Sequence, residues 1–134
     1  MKFIKKLILA SMILASTISS ANELTLNDMN PVVISTIPVA GETGVDPSTN
    51  EIFVKFSKKM MTNKMWSVVQ FKGAKFPKLT GQVYFKEDSR TFVIPVKLEE
   101  NTVYAFSINS SSKRGFKSLN GKSAQPYIVS FKTL

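Results

Sequence analysis

Short runs that alternate apolar and polar residues are the feature that most limits the folds open to this chain. In the run Glu51 to Ser57, the side chains of Ile52, Val54 and Phe56 share one face. Successive side chains point to opposite faces of a β-strand, so the run predicts a strand with one buried face. No stretch keeps a helical period long enough for a crossover between parallel strands. The sheets are therefore expected to be antiparallel.

Further runs of the same character follow one another between polar turns. Tyr104, Phe106 and Ile108 are predicted to face inward in one of them, and alternate residues of the last run do the same. The runs cover residues 32–36, 51–57, 66–71, 82–85, 91–94, 102–108 and 127–133. Seven short strands in about 100 residues indicate an all-β, antiparallel β-sandwich of the immunoglobulin type. Residues 38–48 are rich in glycine and proline and are expected to form an irregular link.

The first 21 residues have the three parts of a secretory signal. Three lysines precede an apolar stretch at residues 7–18, and Ser19, Ser20 and Ala21 provide the small residues of a cleavage site. The apolar stretch is shorter than the ~20 residues that span a bilayer, which favours a cleaved signal over an uncleaved anchor. We therefore predict export to the periplasm or the extracellular space, with no membrane span once the signal is removed.

This interpretation divides the chain into a signal peptide (1–21), a flexible leader (22–30) and one domain (31–134). The whole chain has 18 basic and 9 acidic residues, a net charge of +9. Three lysines leave with the signal, so the remainder keeps 15 basic residues against 9 acidic ones. The mature part is thus clearly basic, which favours anionic partners without selecting one.

The composition excludes most enzyme chemistry. Neither cysteine nor histidine occurs. Disulfides, thiol nucleophiles, histidine-based triads and zinc sites with cysteine or histidine ligands are therefore impossible. We predict no catalytic residues, no cofactor and no metal ion.

Several motifs along the chain resemble the bacterial Ig-like domain first recognised in the S-layer protein SbsA. Ile37-Pro38-Val39-Ala40-Gly41, Gly44-Val45 and Ile52-x-Val54-x-Phe56-Ser57-Lys58-x-Met60 are similar to its opening motif. Leu98-x-x-Asn101-Thr102-x-Tyr104 resembles its tyrosine corner, with Glu100 where proline is usual, and Phe131-Lys132-Thr133 resembles its end. A subgroup of the family is matched by Trp66-Ser67, Phe116-Lys117, Gly121 and Pro126-Tyr127.

The resemblance covers residues 31–133 and implies a structural or adhesive module with no catalytic residues to carry over. Such domains commonly lack the disulfide between the two sheets of antibody domains, in agreement with the absence of cysteine here. Tyr104 is expected to hold its corner through a hydrogen bond between its hydroxyl group and nearby backbone.

Other motifs favour turns over active sites. Gly121-Lys122-Ser123 lacks the spacing of a phosphate-binding loop, and Ser110-x-x-Lys113 lacks the partner motifs of penicillin-recognising enzymes. The acidic pairs Glu87/Asp88 and Glu99/Glu100 are neighbours in turns, whereas a glycosidase needs two carboxyl groups facing one substrate. Glu42 and Asp46 are too few for a typical calcium site.

A lysine-rich patch is the remaining candidate site. Lysine binds phosphate or sulfate as a point charge, and aromatic rings stack on sugars. The predicted polyanion-binding residues are Lys55, Lys58, Lys59, Lys64, Trp66, Lys72, Lys75 and Lys78. The alternative interpretation is that these lysines keep the protein soluble and its sheet edges unpaired.

The sequence thus predicts an exported, non-enzymatic Ig-like module with a structural or protein-interaction role, whose partner is an unidentified envelope protein. The alternative is a binder of anionic polysaccharide or another polyanion. Nucleic acid is not an expected target, because export removes the protein from the cytosol.

Overall fold

The computed structural model describes residues 23–134, and the predicted signal peptide lies outside them. Within this range the chain forms a short 3₁₀ helix at Leu26–Asp28 and nine strands. The strands are β1 (Val33–Ile37), β2 (Glu42–Val45), β3 (Glu51–Phe56), β4 (Val68–Gln70), β5 (Lys78–Leu79), β6 (Tyr84–Phe85), β7 (Thr91–Lys97), β8 (Val103–Ile108) and β9 (Tyr127–Thr133). None of the described residues belongs to a helix with the length and apolar character needed to cross a membrane.

The strands pair into two sheets that enclose one core, which confirms the predicted all-β sandwich. One sheet has the order β1-β3-β7, and β7 pairs on its far side with both β5 and β6. The other sheet has the order β2-β9-β8-β4. The described chain has nine strands rather than the predicted seven. The two additional strands, β2 and β5, are edge strands and lack the pattern from which the others were predicted. Apart from Val45 in β2, their residues are exposed and show no alternation of apolar and polar types.

The expectation of purely antiparallel sheets is wrong at β2, which pairs with β9 in parallel. The chain runs along the edge of one sheet as β1, crosses to the other sheet, and continues in the same direction as β2. The crossing includes Gly41, whose φ of 90° lies in the region that glycine adopts without steric cost. Because the edge strand changes sheets without reversing, no helical crossover is needed for the parallel pair. The link predicted to be irregular therefore contains a strand.

The core is built by the inward faces that the alternation predicts. Ile52, Val54 and Phe56 of β3 are fully buried against the other sheet, and so are Phe106 and Ile108 of β8. The same core includes an aromatic cluster in which Phe92 and Phe116 lie 4.9 Å apart between ring centroids, edge to face. Full burial of one such side chain contributes about 1.5–3 kcal/mol to the free energy of unfolding. Apolar packing therefore holds the two sheets together in place of a disulfide.

The outer face of the first sheet carries an apolar row that the sequence did not explain. Strand pairing places Ile37, Phe53, Val93 and Tyr84 side by side across four strands. Val93 at the centre is fully buried, and the ammonium group of Lys86 lies 4.5 Å from the centroid of the Phe53 ring. Neighbouring side chains therefore cover Phe53, which breaks the alternation of β3.

Candidate functional site

Strand pairing separates the charged residues into two groups at opposite ends of the sandwich. Lys55 lies opposite Thr91 at one end of the first sheet, and Lys78 lies opposite Lys97 at the other. The seven residues of β7 cover about 20 Å between these points, at roughly 3.3 Å per residue. This distance is about two Debye lengths at physiological salt, so exposed charges at the two ends are well screened from each other.

The two ends carry different net charges. We call the end formed by the loops 57–67, 86–90 and 109–126, together with the leader, the basic end. Its ten basic residues are Lys55, Lys58, Lys59, Lys64, Lys86, Arg90, Lys113, Arg114, Lys117 and Lys122. Its acidic residues are Glu23, Asp28, Glu87 and Asp88, which leaves a net charge of +6.

We call the opposite end the neutral end. Its basic residues are Lys72, Lys75, Lys78, Lys97 and Lys132. Its acidic residues are Glu42, Asp46, Glu51, Glu99 and Glu100, and five charges of each sign cancel. The net positive charge of the described chain, +6, is therefore located at the basic end.

The lysine-rich patch predicted from the sequence is divided between these ends. Lys55, Lys58, Lys59, Lys64 and Trp66 lie at the basic end. Lys72, Lys75 and Lys78 lie at the neutral end, where Lys75 forms a salt bridge with Glu99 that raises the pKa of the lysine. The predicted residues thus do not form one surface, and only the first group lies within a region of excess positive charge.

Half of the ten basic side chains at the basic end contact uncharged groups of the protein. Arg90 and Arg114 donate to the carbonyl oxygens of Ser57 and Ser111, and Lys86 lies over the Phe53 ring. The ammonium groups of Lys58 and Lys122 donate to the carbonyl oxygens of Met29 and Asp28, which hold the leader against this end. Among residues 23–134 the one salt bridge is at the neutral end. The cations of the basic end are therefore not neutralised by ion pairs within the described chain and remain available to an anion.

Two acidic residues of the basic end accept hydrogen bonds from groups in their own turns. The carboxylate of Asp88 accepts hydrogen bonds from the backbone N–H groups of Arg90 and Thr91, at 2.8 and 2.9 Å, and from the Thr91 hydroxyl at 2.7 Å. These bonds, led by that from Arg90, lower the pKa of Asp88. The pKa of Asp28 is lowered by hydrogen bonds from Thr25, first of all from its side chain. Both carboxylates therefore stabilise the turns in which they lie.

A buried asparagine positions the long loop of the basic end. Asn109 is fully buried and has a φ of 59°, a left-handed conformation that asparagine tolerates. Its Nδ2 donates to the carbonyl oxygens of Phe116 and Ala124, at 3.0 and 3.1 Å, and its Oδ1 accepts from the Phe116 N–H at 3.0 Å. Sequence reasoning missed this residue, since an asparagine after a strand also fits an ordinary exposed turn.

A groove lies beside the basic end, between the loop after β3 and the strand β6. Its volume is about 470 Å³, and Trp66 and Tyr84 are among the residues that line it. The Trp66 ring is half-buried and packs against Phe92, with 5.5 Å between the ring centroids. Lys64 also lines the groove and has a φ of 59°. We call this feature the Trp66 groove.

The motifs that resemble parts of enzyme sites form turns in the structure. The N–H of Gly121 donates to the carbonyl oxygen of Ser118, and the Lys113 N–H donates to the Ser110 hydroxyl at 3.0 Å. Within the described residues no three acidic side chains lie close enough together to hold a metal ion. These segments shape the loops of the basic end.

Comparisons with known proteins agree with this architecture. The profile of the family described as "Bacterial Ig-like domain" matches residues 27–133, and the chain belongs to this family. It is similar to the surface layer protein SbsC, domains 1–6, at 20% identity and a TM-score of 0.50, over 79% of this chain and 14% of the other. A second structure of this S-layer protein, rSbsC(31-844), gives 20% identity and a TM-score of 0.49, over 81% and 14%.

This chain therefore spans about one seventh of the length of the S-layer chains that it matches. At this identity the likeness concerns the fold alone. A search of curated proteins finds no matching relative. The predicted resemblance to a bacterial Ig-like domain is confirmed.

Proposed function

We propose that this protein is an exported, non-enzymatic Ig-like module with a structural or protein-interaction role in the cell envelope or outside the cell. The observation that carries the proposal is a filled two-layer sandwich of the bacterial Ig-like family, together with a secretory pattern at residues 1–21. The S-layer fold relationship supports an envelope role by analogy.

Fractionation of cells that express the tagged full chain tests this proposal. We expect the protein outside the cytoplasm, with a mature N-terminus at Asn22 by mass spectrometry. Replacing Leu9 and Leu14 by aspartate interrupts the apolar stretch and should retain the protein in the cytoplasm with its signal uncleaved. Cytoplasmic location of the unaltered chain would contradict export.

Chemical cross-linking in intact cells tests the interaction role. A module that works through a partner should give a discrete cross-linked species with an envelope protein. An uncross-linked protein found only in the medium would contradict an envelope partner.

The charge distribution supports a second candidate function, the binding of an anionic glycan or another polyanion by the basic end. Ten basic residues against four acidic ones make this end attractive to a negatively charged polymer. Retention on an anionic polysaccharide column should be strong at low salt and should fall as salt screens the charges.

A matched pair of double variants locates the binding end. Lys59→Glu with Lys113→Glu changes the basic end by four charges, and Lys72→Glu with Lys132→Glu changes the neutral end equally. All four side chains are exposed. We expect the double variant at the basic end to abolish retention and the double variant at the neutral end to weaken it only slightly. Equal effects of the two pairs, or no retention at low salt, would overturn this candidate.

A further inference from the structure

The Trp66 groove combines an aromatic surface, free polar side chains and a cation in one place. Trp66 and Tyr84 supply the aromatic groups, and Tyr84 is 44% exposed. Packing of the Trp66 ring against Phe92 fixes one side of the indole within the fold. A ring held in this way is a rigid surface on which a planar or apolar face of a ligand stacks with little loss of conformational entropy.

The polar groups of the groove are available for a ligand. Thr62, Asn63 and Gln82 line it and are exposed, and none of their side chains makes a hydrogen bond within the described part of the chain. A hydroxyl and two amides can together donate and accept several hydrogen bonds. Such a set is complementary to the hydroxyl groups of a sugar, each of which is both a donor and an acceptor.

Lys64 gives the groove its charge preference. It lines the groove, is exposed, and has a left-handed φ of 59°, a conformation that glycine or asparagine would adopt at lower cost. Its ammonium group has no ion-pair partner among residues 23–134. One carboxylate lies near the groove, that of Glu51, which accepts a hydrogen bond from the Tyr84 hydroxyl at 3.3 Å. The cations on the adjacent loops of the basic end outnumber it, so the field at the groove favours an anion.

We propose that the Trp66 groove is a subsite for one acidic sugar unit of an anionic polysaccharide, and this proposal rests on the second candidate function. The sugar ring stacks on Trp66, its hydroxyl groups bond to Asn63 and Gln82, and its negative group pairs with Lys64. A carboxylate and a phosphate on the sugar share this chemistry, because lysine binds both as a point charge. The rest of the polymer lies across the basic end.

Binding measurements with four polymers test the proposal on the purified protein. Polygalacturonate carries a carboxylate on each sugar, phosphomannan carries phosphate on sugar, dextran is neutral, and inorganic polyphosphate has charge without sugar. We expect binding of one or both anionic polysaccharides, weaker binding of polyphosphate, and none of dextran. The two polysaccharides distinguish the carboxylate from the phosphate as the recognised group.

Variants of the groove separate this subsite from the general charge of the basic end. Lys64→Asn removes the charge and suits the backbone conformation, and Lys113→Asn is its control with the same charge change outside the groove. We expect Lys64→Asn to weaken polysaccharide binding roughly tenfold, as loss of one charge-assisted contact would, and Lys113→Asn about twofold or less. Trp66→Leu keeps an apolar side chain against Phe92 and should also cost roughly tenfold.

Gln82→Ala serves as a further variant if Trp66→Leu fails to fold, since Gln82 is exposed. Equal losses in Lys64→Asn and Lys113→Asn, or polyphosphate binding as tight as that of the polysaccharides, would overturn the subsite and leave the charge-driven function standing. Absence of binding to every polymer at low salt would overturn both. Neither result affects the export test.

Discussion

The two ends of this sandwich are held by different kinds of polar side chain. At the neutral end, the Tyr104 hydroxyl accepts a hydrogen bond from the Glu99 N–H at 2.7 Å, which fixes the short link between β7 and β8. At the basic end, Asn109 makes three hydrogen bonds to the backbone of a loop that extends from residue 109 to 126. A longer loop has more backbone to satisfy, and a buried amide can both donate and accept.

This difference has a functional consequence. The neutral end balances its charges and has a short corner between β7 and β8, whereas the basic end carries the long loop 109–126, cations without ion-pair partners in the described chain and the Trp66 groove. Loops held on a rigid scaffold are where binding residues concentrate. The buried side chain of Asn109 therefore supports one of the loops that form the proposed binding end.

Replacing Asn109 by alanine is expected to give the largest effect. The change removes three buried hydrogen bonds, leaves the Phe116 N–H without its acceptor, and places alanine at a positive φ. We expect a loss of about 3–5 kcal/mol in the free energy of unfolding, measured by urea denaturation.

Asn101→Ala provides the matched control at the neutral end. Asn101 also has a positive φ, of 47°, but it is exposed and its side chain makes no hydrogen bond to the described chain. We expect a loss of about 1 kcal/mol from backbone conformation alone. If the two variants lose equal stability, the hydrogen bonds of Asn109 are not what holds the basic end.

Gly115→Ala tests how tightly the loop of the basic end packs against the strand region that leads into β4. A β-carbon at position 115 would lie 2.5 Å from the Ser67 Oγ and 2.6 Å from the Trp66 carbonyl carbon. Backbone cannot move aside cheaply, so we expect a loss of about 2–3 kcal/mol in stability. A change in the fluorescence of Trp66 should accompany this loss of stability, because the clash displaces that residue.

Gly44→Ala is the corresponding change in the edge strand β2. No atom lies within 4 Å of the β-carbon that it would add, and its φ is not positive. We expect the stability to change by less than about 0.5 kcal/mol. A comparable loss in both variants would mean that the close approach at Gly115 is not specific to the basic end.

The difference between the ends also explains how far the sequence could predict this structure. Tyr104 was predicted because its corner is a local motif, in which the hydroxyl bonds to backbone only five residues away. The alternation in β3, β8 and β9 likewise shows which residues face the core. Asn109 was missed because its partners, Phe116 and Ala124, follow 7 and 15 residues later in a loop without periodicity.

The candidate site was predictable only in part for a similar reason. Residues near in sequence, such as Lys72 and Lys64, were expected to share one surface, but strand β4 runs between them and carries the chain from the basic end to the neutral end. The charge of each end depends on which loops meet there, and that follows from sheet order. Strand β2 escaped prediction because an edge strand with three exposed residues needs no apolar pattern.

Tyr104→Phe is expected to have a moderate effect at the neutral end. It removes the acceptor of the Glu99 N–H while keeping the ring that packs 5.5 Å from Phe131. One partly buried hydrogen bond contributes about 1 kcal/mol, so the thermal midpoint should fall by a few degrees. Binding of polyanions at the other end should not change. A loss as large as that of Asn109→Ala would show that the neutral end depends equally on its polar support.

A smaller effect than that of Tyr104→Phe is expected from Asp88→Asn, and the pH dependence of this effect identifies its cause. Hydrogen bonds from Arg90 and Thr91 hold the pKa of Asp88 below its usual value of 3.8. The charged carboxylate therefore stabilises the folded state above the pKa of the unfolded chain, and this contribution is lost as the pH falls through the lower, folded-state pKa. Solvent screens the exposed turn, so the effect on the thermal midpoint at pH 7 should be smaller than that of Tyr104→Phe.

The difference in thermal midpoint between the unaltered protein and Asp88→Asn should consequently be present at pH 7, shrink as the pH falls below the unfolded-state value of about 3.8, and reach its minimum once the pH is below the lowered pKa of the folded state. Asp46→Asn is the control at the neutral end. The carboxylate of Asp46 accepts a hydrogen bond from the Ser48 N–H at 2.8 Å, and this bond also lowers its pKa. Asp88 accepts from three donors, so its substitution should have the larger effect. A difference that does not depend on pH would show that the turn at the basic end is held by the shape of this side chain and not by its charge.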